Sequence, residues 1–372
     1  MRERIVPFFN YPHVYKQYQQ EILPALVDTL ERGAYILQKE VEAFENAIKE
    51  FVGAKYCVGV ANGTDSLYLA LIAAGIKPDD EVIMASHTYV ATAAAVKFAG
   101  GKPVLVEILK DRMIDPEAVE AAITSKTKFL MPTQLNGRTA NMDALQDIAE
   151  RYGLIIIEDA AQALGSKFKG KCAGTFGLAG SISLYPAKLL GCFGDGGLIL
   201  TNDDEMYWKL YEMRDHGRNK DGIVVRWGVN SRLDNIQAAI LLIKFKYYSK
   251  EIERRRQIAR IYNEHLRELE DLTLPPGPDE EGPHYDVYQN YEIESGHREA
   301  LREYLKKHGV ETIIQWNGTP VHQIKGLNLP NFHLPKTDKF FERCFLLPMN
   351  TSLTDDDVNY ICDIIHSFYK GV

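Results

Sequence analysis

The chain is short of most features that would set it apart from ordinary globular proteins. It carries three tryptophans and five cysteines in 372 residues. The cysteines (Cys57, Cys172, Cys192, Cys344 and Cys362) are odd in number and far apart. A complete disulfide framework and a close-spaced metal cluster are thereby excluded, and reduced thiols in a cytoplasmic protein are expected. No apolar run reaches the roughly 18 residues of a membrane span. Met1 to Pro7 has no apolar signal-peptide region, which again points to the cytoplasm. Basic charge is not in surplus either: 43 basic against 51 acidic residues leave a net charge of -8. A non-specific grip on nucleic acid or an anionic membrane needs the opposite balance. Internal repeats and low-complexity tracts are absent.

What is present reads as a soluble enzyme-sized chain. Apolar residues are 45% and charged residues 25%, so wholesale disorder is excluded. The length suggests two domains. Between about residues 40 and 202 short apolar runs alternate with helical patterns. Leu37, Val41, Phe44, Ile48 and Phe51 recur at helical spacing before Gly53. Cys57–Val60, Glu81–Met84, Pro103–Val106, Phe129–Met131 and Leu154–Ile157 read as strands. Strands of that kind predict a mostly parallel sheet covered on both faces. From Ser231 to Leu269 there is neither Gly nor Pro, and one long helix is expected to bridge the domains. The division expected is a large α/β domain over 1–244 and a small α/β domain over 245–372.

Lys188 lies in an unusual setting. It is the only charge between Lys171 and Asp195, apolar strands flank it, and four glycines follow within nine residues. Burial disfavours an ammonium and favours the free amine that attacks carbonyls. A lysine snorkelling out of a glycine-rich hairpin is the plainer alternative. Asp159 ends the apolar run Leu154–Ile157 by two residues, at the carboxyl end of a strand, where ligands bind in open α/β sheets. A carboxylate there suits a protonated pyridine nitrogen, as a pyridoxal phosphate cofactor presents; a helix N-cap is the alternative. Asn62-Gly63-Thr64-Asp65-Ser66 leads into a helix, whose free N–H groups could bind a phosphate. Asp65 should turn its carboxylate away and offer only its N–H. Ser183, five residues before Lys188, could donate to the same phosphate. Tyr89 could stack on a ring, and Gln162 lies one turn beyond Asp159 if a helix begins there.

Taken in order, these elements resemble the DegT/DnrJ/EryC1/StrS sugar aminotransferases. The matching segments are Asn62–Leu67, Thr88–Thr92, Glu158–Gln162, Ser183–Lys188 with Gly194–Gly197, and Gly228–Asp234. The resemblance is strongest to members that aminate 3-keto nucleotide sugars, 3-keto uronic acids among them. It implies the type I (aspartate aminotransferase-like) fold of pyridoxal-phosphate-dependent transferases. It also implies a homodimer with shared sites, pyridoxal 5'-phosphate as cofactor with its pyridoxamine form as intermediate, and L-glutamate as donor. Lys188 would hold the cofactor and move protons, Asp159 would pair with the ring nitrogen, Tyr89 would stack on the ring and Gln162 would sit beside it. Gly63, Thr64, Asp65 and Ser183 would hold its phosphate, with Asn230 reaching the partner's phosphate. Arg232 and His322 would lie near the substrate, and no metal is implied. A 4-keto sugar aminotransferase is the near alternative. A dehydratase relative would carry His in place of Lys188, and a regulator on this scaffold would be free to lose Lys188 or Asp159. Two stretches depart from the family pattern: Pro132–Gly137, where a Val-His-Leu-Tyr-Gly-like run is usual, and Ile314–Gln323, where a His-Tyr-Pro segment is usual. Both departures bear on the sugar more than on the reaction.

Overall fold

The computed structural model describes residues 4–371. After α1 (Tyr11–Glu31) and α2 (Lys39–Val52), strands and helices alternate as β1 (Tyr56–Val60), α3 (Gly63–Ala73), β2 (Glu81–Ala85), α4 (Val90–Phe98) and β3 (Lys102–Val106). They continue with α5 (Pro116–Ala121), β4 (Thr127–Leu130), α6 (Met142–Tyr152) and β5 (Ile155–Asp159). Two short strands, β6 (Lys167–Phe168) and β7 (Lys171–Cys172), precede β8 (Ala179–Ser183) and β9 (Gly197–Thr201). The main sheet runs β1-β9-β8-β5-β4-β2-β3. Its pairs from β8 through β3 are all parallel, and β9 alone is reversed. Because helices cover both faces, the strands carry unbroken apolar runs, as the sequence pattern implies.

The helix expected over Ser231–Leu269 is two helices beyond α7 (Asp204–Met213): α8 (Asn235–Phe245) and α9 (Tyr248–Leu266). Packing makes the break, not glycine or proline. Tyr247 stacks on Tyr18 of α1 at 4.9 Å. The next residue, Tyr248, is buried beside Phe51 and Phe245 and donates its hydroxyl to the Leu164 carbonyl at 2.8 Å. Shortened turns close α8 there, with Lys246 and Tyr247 bonding three residues back.

The remaining chain gives β10 (Leu272–Thr273), β11 (His284–Tyr285), β12 (Tyr291–Ser295), α10 (Arg298–Lys307), α11 (Pro335–Arg343), β13 (Cys344–Leu347) and α12 (Asp355–Lys370). A second sheet, β10-β12-β13, packs with α9, α10 and α12 around Tyr262, Tyr291 and Phe345. Val6 joins this core and pairs with Val310, so the N-terminal arm is fastened to the C-terminal layers. Conversely, Val321 and Leu334 pack into the core of the main sheet, and Phe340 and Phe341 into its outer layer. All five cysteines are free and buried. Among the described residues no helix is long and apolar enough to cross a membrane.

Candidate active site

The carboxyl ends of the parallel strands open onto one cavity of about 450 Å³. Gly63, Thr64, Tyr89, Asp159, Gln162, Ser183 and Lys188 all line it. Each follows from the chain's path: α3 starts just past β1, Tyr89 caps α4 past β2, Asp159 ends β5, and Ser183 ends β8. Lys188 sits in the loop that reverses the chain from β8 into antiparallel β9. Glycine permits the close packing beneath. A side chain on Gly63 would place its Cβ 2.9 Å from that of Ser183, and one on Gly197 would strike the Asn62 backbone at 2.4 Å.

Asn62 caps α3, its Oδ1 accepting from the Asp65 N–H at 2.8 Å. This corrects the expectation for Asp65. Its carboxylate does turn aside, accepting from the Ser231 hydroxyl at 2.7 Å, but its N–H is already taken. The first-turn N–H groups of Gly63 and Thr64 have no intrahelical acceptor and remain for an anion.

Burial lowers the Lys188 amine to about 8, while the Asp159 carboxylate pulls the other way. Burial pushes the Asp159 carboxyl up. Opposing it are the Thr92 hydroxyl at 2.7 Å, the Ala161 N–H at 3.2 Å and the charge of Lys188. Behind Thr92 stands a hydroxyl chain, Thr133 to Thr88 at 2.9 Å and Thr88 to Thr92 at 2.6 Å, all three threonines being buried. The neighbouring carboxylate, Glu158, points to the opposite face of β5 and is spent on structure. It accepts from Gln134 and from the N–H groups of Gly174, Phe176 and Gly177. No helix begins at Asp159; Gln162 lies in a turn, and its Oε1 accepts from the Asn136 N–H at 2.8 Å.

Three other expected residues stand outside the cavity. Asn230 is exposed to solvent. Arg232 is drawn into an ion pair with Asp215 at 2.5 Å. His322 has only 4% of its side chain exposed and both ring nitrogens engaged, Nδ1 with the Ser86 hydroxyl at 2.7 Å and Nε2 with Asp338 at 2.9 Å. The cavity instead includes Asn290, Gln315 and Trp316, brought in by distant parts of the chain. Trp316 and Asn317 both adopt left-handed backbone, at φ 50° and 55°. Nothing local marks Asn290, whereas the Asn136-Gly137 dipeptide does carry a turn signal.

These features fit pyridoxal phosphate: two free N–H groups with a serine for the phosphate, a buried carboxylate for the ring nitrogen, an aromatic wall, and a lysine biased toward the free amine. The class so defined is a lysine-dependent α/β transferase with its site at the strand ends. The match to known proteins narrows the class. The model of the DegT/DnrJ/EryC1/StrS aminotransferase family covers residues 16–366, and the chain belongs to that family. It is 39% identical to the pleiotropic regulatory protein of Geobacillus stearothermophilus, over 98% of this chain and 99% of that one. It is 38% identical to the UDP-2-acetamido-2-deoxy-3-oxo-D-glucuronate aminotransferase of Pseudomonas aeruginosa, over 96% and 99%. Among solved structures, S. venezuelae DesV in complex with a ketimine intermediate superposes with a TM-score of 0.93 at 36% identity, over 98% of both chains.

Proposed function

We propose that this protein moves an amino group from L-glutamate to the keto group, at position 3, of a nucleotide-linked sugar, with pyridoxal 5'-phosphate as cofactor. The observation that carries the reading is Lys188, a lysine lowered to about 8 and set in the same cavity as the buried Asp159. When bound, the cofactor supplies the electron sink and carries nitrogen between donor and acceptor. Lys188 Nζ would anchor it and, once displaced by the donor amine, would take the proton from the donor carbon as base and deliver it as acid to the cofactor carbon, doing the reverse with the acceptor sugar. Asp159, steadied by Thr92, holds the ring nitrogen's proton. Gly63, Thr64 and Ser183 receive the phosphate, Tyr89 covers the ring and Gln162 fixes its edge. A regulator on this scaffold would be free to lose Lys188 or Asp159, and the presence of both favours catalysis.

The same proposal makes the working unit a cytoplasmic homodimer feeding surface-polysaccharide or natural-product synthesis, with 1–244 and 245–372 as its two domains. Exposed Ile223, Val224, Val225 and Trp227 support a second copy, as does the outer face of α1 with Leu23, Val27 and Leu30. In such a dimer Asn230 reaches the partner's phosphate and Arg232 lies near the substrate, while His322, with both ring nitrogens engaged by Ser86 and Asp338, serves the substrate site by holding the chain beside it. Incubation with cofactor and borohydride, followed by peptide mass mapping, tests the anchor. Label at Lys188 and amination of a 3-keto nucleotide sugar are expected. A colourless protein without label, or turnover retained in Lys188→Ala, overturns the reading.

A further inference from the structure

The two stretches that depart from the family pattern meet in space. Asn136 lies in the first and Gln315 in the second, and Gln315 Nε2 donates to Asn136 Oδ1 at 2.8 Å. Asn290 Nδ2 donates to the same oxygen at 2.8 Å. Asn136 Nδ2 donates to Glu292 Oε2 at 2.7 Å, and its backbone N–H to Gln162 Oε1 at 2.8 Å. Every polar atom of Asn136 on this side is engaged, and the pattern has one orientation. A carboxylate only accepts, so the amide nitrogen must face Glu292; the amide oxygen then faces Asn290 and Gln315. Glu292 is itself buried beside His87, Nε2 to Oε2 being 3.5 Å, and is not free to turn.

We infer that the Asn136 side chain is a positioning element that fixes Asn290 as the reader of a neutral, hydrogen-bonding substituent of the sugar. The inference rests on the nucleotide-sugar reading above. The two arms of Asn136 serve different ligands. Its backbone N–H occupies Gln162 Oε1 and turns the Gln162 amide nitrogen toward the cofactor side. Its side chain takes one Asn290 hydrogen; Asn290 lines the cavity with its second Nδ2 hydrogen and with an Oδ1 that has no hydrogen-bond partner among the described residues. An acceptor there suits a hydroxyl or an acylamino N–H. A carboxylate could accept only the second Asn290 N–H, and it would face Asp159 and Asp195 on the same wall, with Lys188, the one cation lining the cavity, committed to the cofactor. Deleting the anchoring amide frees Asn290 to rotate and removes the discrimination.

Asn136→Gly separates the two arms. Its φ of 54° is one that glycine adopts freely, so the bond to Gln162 survives while the side chain is lost. The probes are free UDP, UDP-N-acetylglucosamine and UDP-glucuronate, with the dTDP-glucose and dTDP counterparts, titrated by calorimetry into cofactor-loaded protein. In the wild type the neutral-sugar nucleotide should bind at least 10-fold tighter than the uronate. Asn136→Gly and Asn290→Ala should each bring that ratio below 3-fold, with no further loss in the double variant. Cofactor Kd, free-nucleotide affinity and the glutamate half-reaction should stay within 2-fold, and KM for the keto sugar should rise while kcat holds. Unchanged sugar affinity in Asn136→Gly, or an equal loss for free nucleotide, overturns the inference and leaves the parent reading standing. If Asn136→Gly does not fold, Asn290→Ala and Gln315→Leu decide by the same measurements. A wild type that binds none of these nucleotides overturns the parent reading and this inference together.

Discussion

Lys188 and Asp159 divide one electrostatic task. Burial drives the lysine toward its neutral form and the carboxyl toward its neutral form, and each opposes the other's shift. Capture of the cofactor aldehyde by apo-protein should therefore rise with pH through a midpoint near 8. Asp159→Asn removes the charge that holds the ammonium, so the midpoint should move below that of the wild type; absorbance against pH reads both. Thr92→Val takes a donor from Asp159 and strands Thr88. It should cost about 1–3 kcal/mol in denaturant unfolding. It should also raise the Asp159 pKa further, seen in the pH dependence of the bound cofactor's spectrum. Lys188 was legible in the sequence because its flanks are apolar on both sides. The threonine chain was not, since Thr133 meets Thr88 from 45 positions away. For the same reason Asn136, Asn290 and Gln315 carried no joint signal before folding brought them within one hydrogen-bonding shell.

At the scale of elements, the strands announced themselves and their order did not. All-apolar runs identify buried strands whichever neighbour they choose, whereas the insertion of β9 between β1 and β8 depends on the Lys188 loop turning back. The single bridging helix failed for a related reason: two adjacent tyrosines seek different neighbours, and no local rule records that. Close approaches are the other element-level constraint. Gly63→Ala would press a methyl group against Ser183 where the phosphate is proposed to sit. The variant should fold, with an unchanged circular dichroism spectrum, yet bind cofactor at least 10-fold more weakly in a fluorescence titration. Gly180→Ala is harsher, its Cβ falling 2.2 Å from the Gly174 carbonyl oxygen, and soluble expression should be lost. Wild-type yields would show that the β8 packing relaxes more than the geometry allows.

For the whole molecule, the proposed dimer is the feature most open to test. Trp227 is 96% exposed two residues past the exposed run Ile223–Val225, an unusual position for so large a side chain. Trp227→Ser combined with Val27→Glu should shift sedimentation from dimer to monomer and weaken cofactor binding with it. Mixing Lys188→Ala with Asn230→Ala should restore about a quarter of wild-type activity, since half the random dimers carry one intact site. No recovery, with mixed dimers demonstrated, would place both groups in one chain's site. The chain's path also constrains how this site is entered. The N-terminal arm is fastened to the C-terminal layers at Val310, and the C-terminal part sends Val321, Leu334 and Phe340 back into the cores around the main sheet. Layers stitched together at several points are not free to swing like jaws. Ligands must enter through loop-scale movement, and the scattering profile in solution should keep the same radius of gyration before and after substrate is added.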